Sequence, residues 1–366
     1  MTKFSKDYSL FLNKYLYLSP KLILNLYNLV DSRDHFIEEF NHLRNSFKSL
    51  TPELLTKAKE FNFDQEIEHL NKHRVSILHL NDTDYPTYLK EISDPPLLLF
   101  YKGDISLVKK NQLAIVGPRK STSYGTKVAE YFTKQLSPHF VITSGLADGI
   151  DAAAHKQCLK DKKATIAVIG TGLNIAYPNK HFKLQEDISR NGLVLSEFPL
   201  DTSPLKQHFP QRNRIISGLS KGVIVCEASF KSGSLITANF ALEQNKEVYA
   251  VPGPIFNETS KGVHKLIQDG AKCTQDVNDI FEDFNISSTH EDPQLFDLAQ
   301  SRDVVDRSAL NGDEYVIFSL LSDRLMSLED LLTKSSFSIH KLLPLLSMLE
   351  IKGLITQHPG KNYSKK

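Results

Sequence analysis

The stretch FPQRNRIISGLSKG at 209–222 sets two guanidinium groups, Arg212 and Arg214, two residues apart, after an aromatic–proline step and ahead of the apolar run GVIVCEA. No obvious nucleophile or base stands between them. A planar guanidinium fork grips phosphate through paired hydrogen bonds and stacks on flat rings. The chemistry on offer is anion recognition rather than bond breaking. Segment 206–231 carries five basic residues (Lys206, Arg212, Arg214, Lys221, Lys231) and one acid, Glu227, which reads as a local positive patch. The long loop PLDTSPLKQHFPQ, held extended by its prolines, is expected to deliver Phe209 and the Arg212-Asn213-Arg214 triplet. On a helix, residues 212 and 214 would point about 200° apart. One of the two arginines would then pin the loop or a carboxylate such as Glu197 or Glu227. Asn213 reads as a structural tie through its amide. Phe209 reads as a stacking platform or as a buried loop anchor.

Other short stretches repeat the theme. Gly117-Pro118-Arg119-Lys120-Ser121 follows the apolar run QLAIV. Its glycine allows close backbone approach, and Arg119 and Lys120 favour an anion, although a tight turn with solvated basic residues has the same sequence. It lacks the G-x-G-x-x-G fingerprint, which argues against ordinary NAD binding. Ser144-Gly145 opens SGLADGID, where Asp151 suits a helix start and His155 stands one turn further on. Gly170-Thr171-Gly172 precedes Tyr177-Pro178 and the basic Lys180, His181 and Lys183. Ser232-Gly233-Ser234 opens LITANFALEQ, as a phosphate cradle or a plain N-cap. The chain has no Walker lysine, G-x-S-x-G, H-E-x-x-H or C-x-x-C.

These stretches need a scaffold that brings them to one edge. From about 110 to 282 the apolar runs QLAIVG, FVITSG, ATIAVIG, LVLSEF, GVIVCEA and EVYAVPG alternate with amphipathic helical segments. Strands so continuously apolar are buried on both faces, and the alternation predicts an extended Rossmann-like, doubly wound parallel sheet of the α/β class. Ligands of such sheets sit beyond the carboxyl ends of the strands. A row of glycine-rich, basic loops there makes a track suited to one strand of nucleic acid.

The flanks differ. Residues 1–75 show helical periodicity, with starts at Ser19-Pro20 and Thr51-Pro52, and predict four or five short helices without strong chemistry. The expected organisation is a helical domain at 1–75, the sheet domain at 76–283, a polar linker at 284–309 and a helix–helix–helix–hairpin unit, a winged helix, at 310–366. Ser327 and Asp330 suit a capping-box variant.

Composition narrows the function classes. Of 366 residues, 44 are Lys or Arg and 43 are Asp or Glu, so any basic footprint must be local. No apolar run of about 18 residues suggests a membrane span, and the N-terminal segment does not read as a signal peptide. Cys158, Cys226 and Cys273 read as small buried hydrophobes in a reducing cytoplasm, not as a disulfide or metal framework.

Taken in order, VGPRKSTSYG (116–125), ITSGLADGIDAAAH (142–155), AVIGTGLNIAYP (167–178), LSEFPL (195–200), HFPQRNRIISGLS (208–220), EASFKSGSLITA (227–238) and AVPGPIFNETSKG (250–262) resemble the DNA-processing protein A (DprA/Smf) family. The resemblance spans roughly residues 75–275. It implies a sterile-alpha-motif-like helical domain, a Rossmann-like domain and a winged helix. It implies a non-enzymatic, cytoplasmic protein without a cofactor that binds single-stranded DNA, protects incoming DNA in natural transformation, loads the RecA recombinase and forms a homodimer through the Rossmann domain. It implies DNA contacts at Gly117, Arg119, Phe209, Arg212 and Arg214, with Lys183 a further carry-over. Pro118 stands where the family usually has a small or hydroxyl residue. Lys120, Ser144, Gly145, Gly170, Asn213, Ser232, Gly233 and Ser234 complete the expected site. The competing expectation is a nucleotide-processing Rossmann hydrolase of the lysine-decarboxylase-like type, with Glu197 or Glu227 as its acid or base, although that family's PGGxGTxxE run is missing.

Overall fold

The structure is a computed structural model that describes residues 3–286, 311–321 and 326–365. The chain divides into two compact units, Met1–Ser288 and Thr289–Lys366.

The first unit is organised around a nine-stranded sheet. Its strands are β1 (Ser76–His79), β2 (Leu98–Gly103), β3 (Gln112–Val116), β4 (Val141–Ser144), β5 (Thr165–Ile169), β6 (Leu193–Ser196), β7 (Gly222–Val225), β8 (Glu247–Ala250) and β9 (Lys272–Cys273). The spatial order is β1-β2-β6-β5-β4-β3-β7-β8-β9. From β6 to β9 every neighbouring pair is parallel. β1 and β2 extend the β6 edge as antiparallel strands. All six apolar runs form strands, and β3 to β7 are buried at every residue, as a sheet covered on both faces requires. The sheet is thus doubly wound, with its order reversing between β3 and β7.

The helices Ser123–Leu136, Ile150–Lys160, Phe182–Asn191 and Gly233–Glu243 fall where amphipathic segments were expected. The helix His208–Leu219 does not. PLDTSPLKQHFPQ ends in this helix, so Phe209 and the arginines ride on helical backbone rather than a loop. Pro210 sits in the first turn, where a missing amide costs nothing.

Six helices precede the sheet rather than four or five. Helix starts at Pro20 and Pro52 fall as expected. The segment FIEEFNHLRNSF divides into Arg33–Glu38 and Phe40–Ser46, and Phe63–Lys72 begins under an Asn62 cap that accepts from the Gln65 amide at 3.0 Å. These helices share a core with the sheet: Phe11, Leu26 and Phe36 belong to one apolar cluster with Leu98, Phe100, Ala167 and Ile169. Cys158 and Cys226 are buried, but Cys273 is exposed, because it lies on the two-residue edge strand β9.

Of the expected linker, Phe284 and Ile286 still pack against the sheet's core; residues 287–310 lie outside the described residues. The second unit holds the helices Gly312–Leu320, Leu328–Ser335 and Ile339–Ile351. Ile355–His358 and Asn362–Lys365 form the expected hairpin, and a short strand, Met326–Ser327, pairs with its second arm. Ile317, Leu331, Leu342, Leu346, Leu349 and Tyr363 fill its core. Ser327 caps its helix by accepting from the Asp330 amide at 3.1 Å.

Candidate functional site

Three strand ends and one helix converge on a small pocket. Its lining comes from Arg119 after β3, Gly145, Ala147 and Asp148 after β4, Gly170 and Tyr177 after β5, and Phe209 and Arg212 from the helix His208–Leu219. The enclosed volume is about 40 Å³. Arg119 is exposed at the mouth, with its guanidinium carbon 4.7 Å from the Phe209 ring centre and 5.8 Å from that of Tyr177. The two rings lie 5.4 Å apart, tilted by 38°. An exposed cation held against two aromatic faces is ready for a phosphate, and the ring surfaces offer stacking area.

Arg212 forms the back wall and is only 4% exposed. Its Nη1 donates to the carbonyls of Gly145 at 2.5 Å and Val168 at 2.6 Å. A β-carbon on Gly145 would lie 2.0 Å from that nitrogen, so this position needs a glycine for close approach rather than for conformation. Burial brings the Arg212 guanidinium down to about 10, and the Arg119 charge adds to this while buried Asp151 opposes it. It therefore stays cationic at neutral pH. Asp151 is itself raised by burial, with Arg212 pulling the other way.

Arg214 takes no part in the pocket. It is 2% exposed, donates from Nη2 to Glu197 Oε1 at 2.5 Å, and has its Nε 3.3 Å from Asp94 Oδ2. The helix explains the divergence: side chains two apart leave on opposite sides. The expectation that Arg214 belongs among the ligand contacts is therefore corrected, and the positive patch at 206–231 loses two of its five charges to burial. The alternative role, pinning a carboxylate, is the one it fills. Burial pushes the Glu197 carboxyl up, against the pull of Arg214.

The remaining expected site residues are dispersed. Ser144 is buried, and its hydroxyl donates to the Ile115 carbonyl at 2.6 Å, so it ties β4 to β3. Gly117 packs against Ile150, and Lys120 is exposed beside Arg119 without lining the pocket. Asn213 donates to the Gly233 carbonyl at 3.4 Å, tying two helices as its amide suggested. Ser232 caps the helix Gly233–Glu243, its oxygen 3.4 Å from the Ser234 amide and 2.7 Å from the Ser234 hydroxyl. Gly233 is exposed and Ser234 buried. Lys183 lines a neighbouring surface groove with Lys156 and Lys180.

His155 does not pair with Asp151. Its Nδ1 lies 2.8 Å from Thr165 Oγ1, whose only hydrogen goes to the Ile142 carbonyl at 2.6 Å. The imidazole must then donate from Nδ1. The two carboxylates nominated for hydrolysis are both engaged. Glu197 faces Arg214, and Glu227 accepts from the Thr122 amide at 3.0 Å and from the Thr122 and Thr259 hydroxyls at 2.5 and 3.2 Å.

The motifs did not single out two features. Tyr177 reads in the sequence only as a turn residue, although an aromatic–proline step after a glycine-rich strand end was its signal. The first helices also brace the site. Asn13 donates to the Glu197 carbonyl at 3.1 Å, Gln211 donates to the Tyr17 carbonyl at 2.7 Å, and the Tyr17 ring lies 5.8 Å from His208. His208 in turn reaches the Gly170 carbonyl at 3.1 Å, which fixes the helix start that carries Phe209.

The chain thus combines a doubly wound sheet, with an arginine–aromatic pocket at its carboxyl edge, and a unit of three helices and a hairpin. The comparisons give the family. The model of DNA recombination-mediator protein A matches residues 76–285, and that of the DprA winged helix domain matches 305–361. The chain belongs to the DNA recombination-mediator protein A (DprA/Smf) family. It is 46% identical over 224 residues to DNA processing protein DprA of Streptococcus pneumoniae, covering 61% of this chain and 79% of that one. A solved structure of the Streptococcus pneumoniae protein aligns with TM-score 0.59 and 40% identity over 68% of this chain and 92% of that one. The Helicobacter pylori DNA processing protein A, solved to show its single-stranded DNA binding mode, aligns with TM-score 0.53 and 30% identity over 58% of this chain and 96% of that one. Among the described residues, no helix is long and apolar enough to cross a membrane.

Proposed function

We propose that this chain binds single-stranded DNA as a recombination mediator, protecting incoming DNA and loading the RecA recombinase in natural transformation. The observation that carries the reading is Arg119, exposed at the pocket mouth and held against the Phe209 and Tyr177 rings. The site offers cations and flat rings, and these recognise phosphates and bases without regard to sequence. The engaged state of Glu197 and Glu227 favours binding over hydrolysis. The single-stranded DNA binding described for the Helicobacter pylori relative supports the same substrate. A homodimer through the sheet domain, a RecA contact and a cytoplasmic setting belong to the proposal through the family resemblance.

The test is fluorescence anisotropy on a labelled oligothymidine across a salt series, with the full chain and a chain ending at Ser288. Salt-sensitive binding retained by the shorter chain is expected, because that unit carries the whole pocket. Binding that disappears with the winged helix would move the site out of the sheet domain.

A further inference from the structure

The carboxyl edge of the sheet does not end at the arginine pocket. Val116, Val225 and Ala250, the last residues of β3, β7 and β8, stand in register. The loops that leave them therefore start level. The β7 loop carries Phe230, 62% exposed, and the β8 loop carries Ile255 and Phe256, 70% and 89% exposed. Three large apolar side chains facing water on neighbouring loops are costly unless something covers them.

The backbone beneath them is fixed. The Ala228 amide donates to the Thr259 carbonyl, and the Gly262 amide to the Ala228 carbonyl, both at 2.8 Å, so the β7 loop is laced to the helix Glu258–Gln268 into which the β8 loop runs. Asn257 closes a turn onto the Pro254 carbonyl at 3.0 Å, and His264 Nε2 reaches the Gly253 carbonyl at 3.0 Å. Tyr124, from the segment that follows the Arg119 loop, donates to the Pro252 carbonyl at 2.7 Å, linking this surface to the pocket side. Lys231 is exposed next to Phe230, while the nearby Glu258 is paired with Lys261.

We propose that Phe230 and Phe256 form a second stacking platform for single-stranded nucleic acid, continuous with the arginine pocket. This rests on the binding function proposed above and extends it. The occupant follows from continuity along one edge: β5 to β8 is four strand spacings, about 19 Å, a span that several linked nucleotides cover. It also follows from the type of surface, since exposed aromatic faces on hydrogen-bonded backbone beside a lysine suit stacked bases and their phosphates.

The chain has no tryptophan, so Phe256→Trp gives a single reporter. Oligothymidine of about fifteen nucleotides should quench its fluorescence and one of about four should bind without quenching it. The paired variant Phe230→Ala/Phe256→Ala should bind the long oligomer about tenfold more weakly and the short one unchanged. Both positions are exposed, so an unchanged melting temperature is the control for folding. Unquenched fluorescence in the Phe256→Trp protein and an unchanged long-oligomer affinity in the paired variant, with wild-type binding intact, would overturn the platform alone. Such a result with a shift in oligomeric state would assign the surface to a protein partner. If the wild type binds no oligomer of either length, the DNA-binding function falls and the platform with it.

Discussion

Arg212 and Arg214 stand two residues apart on one helix and serve opposite purposes. Arg212 closes the pocket through the Gly145 and Val168 carbonyls, and Arg214 is locked to Glu197 at 2.5 Å with each side chain 2% exposed. A buried pair of this kind is expensive to break from one side, because the partner charge is left uncompensated. Arg214→Ala should therefore cost about 3–5 kcal/mol of stability, read from urea unfolding. The Arg214→Met/Glu197→Leu pair should cost less, since it removes both fully buried charges together and leaves only the part-exposed Asp94 without its partner. Folded Arg214→Ala protein should keep the wild-type salt slope for oligothymidine. A lowered slope with unchanged stability would mean that Arg214 reaches phosphate after all.

Arg119 predicts the reverse profile. It is exposed, and its visible contacts are with the Phe209 and Tyr177 rings, so Arg119→Ala should change stability by no more than about 0.5 kcal/mol. Losing one charge-assisted contact should weaken single-strand binding by about 1.5–3 kcal/mol. The slope of log affinity against log salt should become shallower by about 0.7, the share of one phosphate on a single strand. Anisotropy titrations at several salt concentrations separate this result from a general loss of folding.

The pH dependence of stability has two buried histidines behind it. Burial, reinforced by the charges of Arg212 and His181, takes His155 down to about 3, and burial takes His79 down to about 4. Each folded-state value lies below the unfolded one, so below about pH 6.5 the unfolded chain gains a proton that the folded chain refuses. The stabilisation is complete above that pH and is lost as pH falls toward the folded values. At pH 5 each histidine should have cost about 2 kcal/mol relative to neutral pH. His155→Gln should flatten the slope of the urea midpoint between pH 7 and pH 5, and a slope that stays unchanged would refute this role for His155.

Much of this was legible in the sequence, for definite reasons. Strands buried on both faces leave long apolar runs, and each of the six runs became a strand. The strand-end glycine at 145 and the exposed Arg119 were visible because close approach restricts residue type and a charge after an apolar strand stands out. The helix His208–Leu219 was hidden because its prolines suggested an extended loop, whereas Pro210 occupies a first turn that tolerates it. Arg214 looked like a ligand contact because composition reports charge and not direction. Its partner Asp94 is 120 residues away, a pairing no local pattern contains. Tyr177 and the bracing by Asn13 and Tyr17 depend on long-range packing in the same way.

Gly145 joins the scaffold to the chemistry and gives the sharpest substitution. A methyl group there would sit 2.0 Å from Arg212 Nη1, which is already held by two carbonyls and boxed in by burial. Arg212 would have to withdraw, leaving the Gly145 carbonyl without its donor and the pocket without its back wall. Gly145→Ala should cost about 1–3 kcal/mol of stability through overpacking, and the folded protein should bind oligothymidine more weakly than wild type. Arg119 is untouched by this change, so its removal in the Gly145→Ala background should still lower the salt slope. Anisotropy on the single and double variants decides the point: unchanged affinity in Gly145→Ala would show that Arg212 supports the fold without shaping the binding surface.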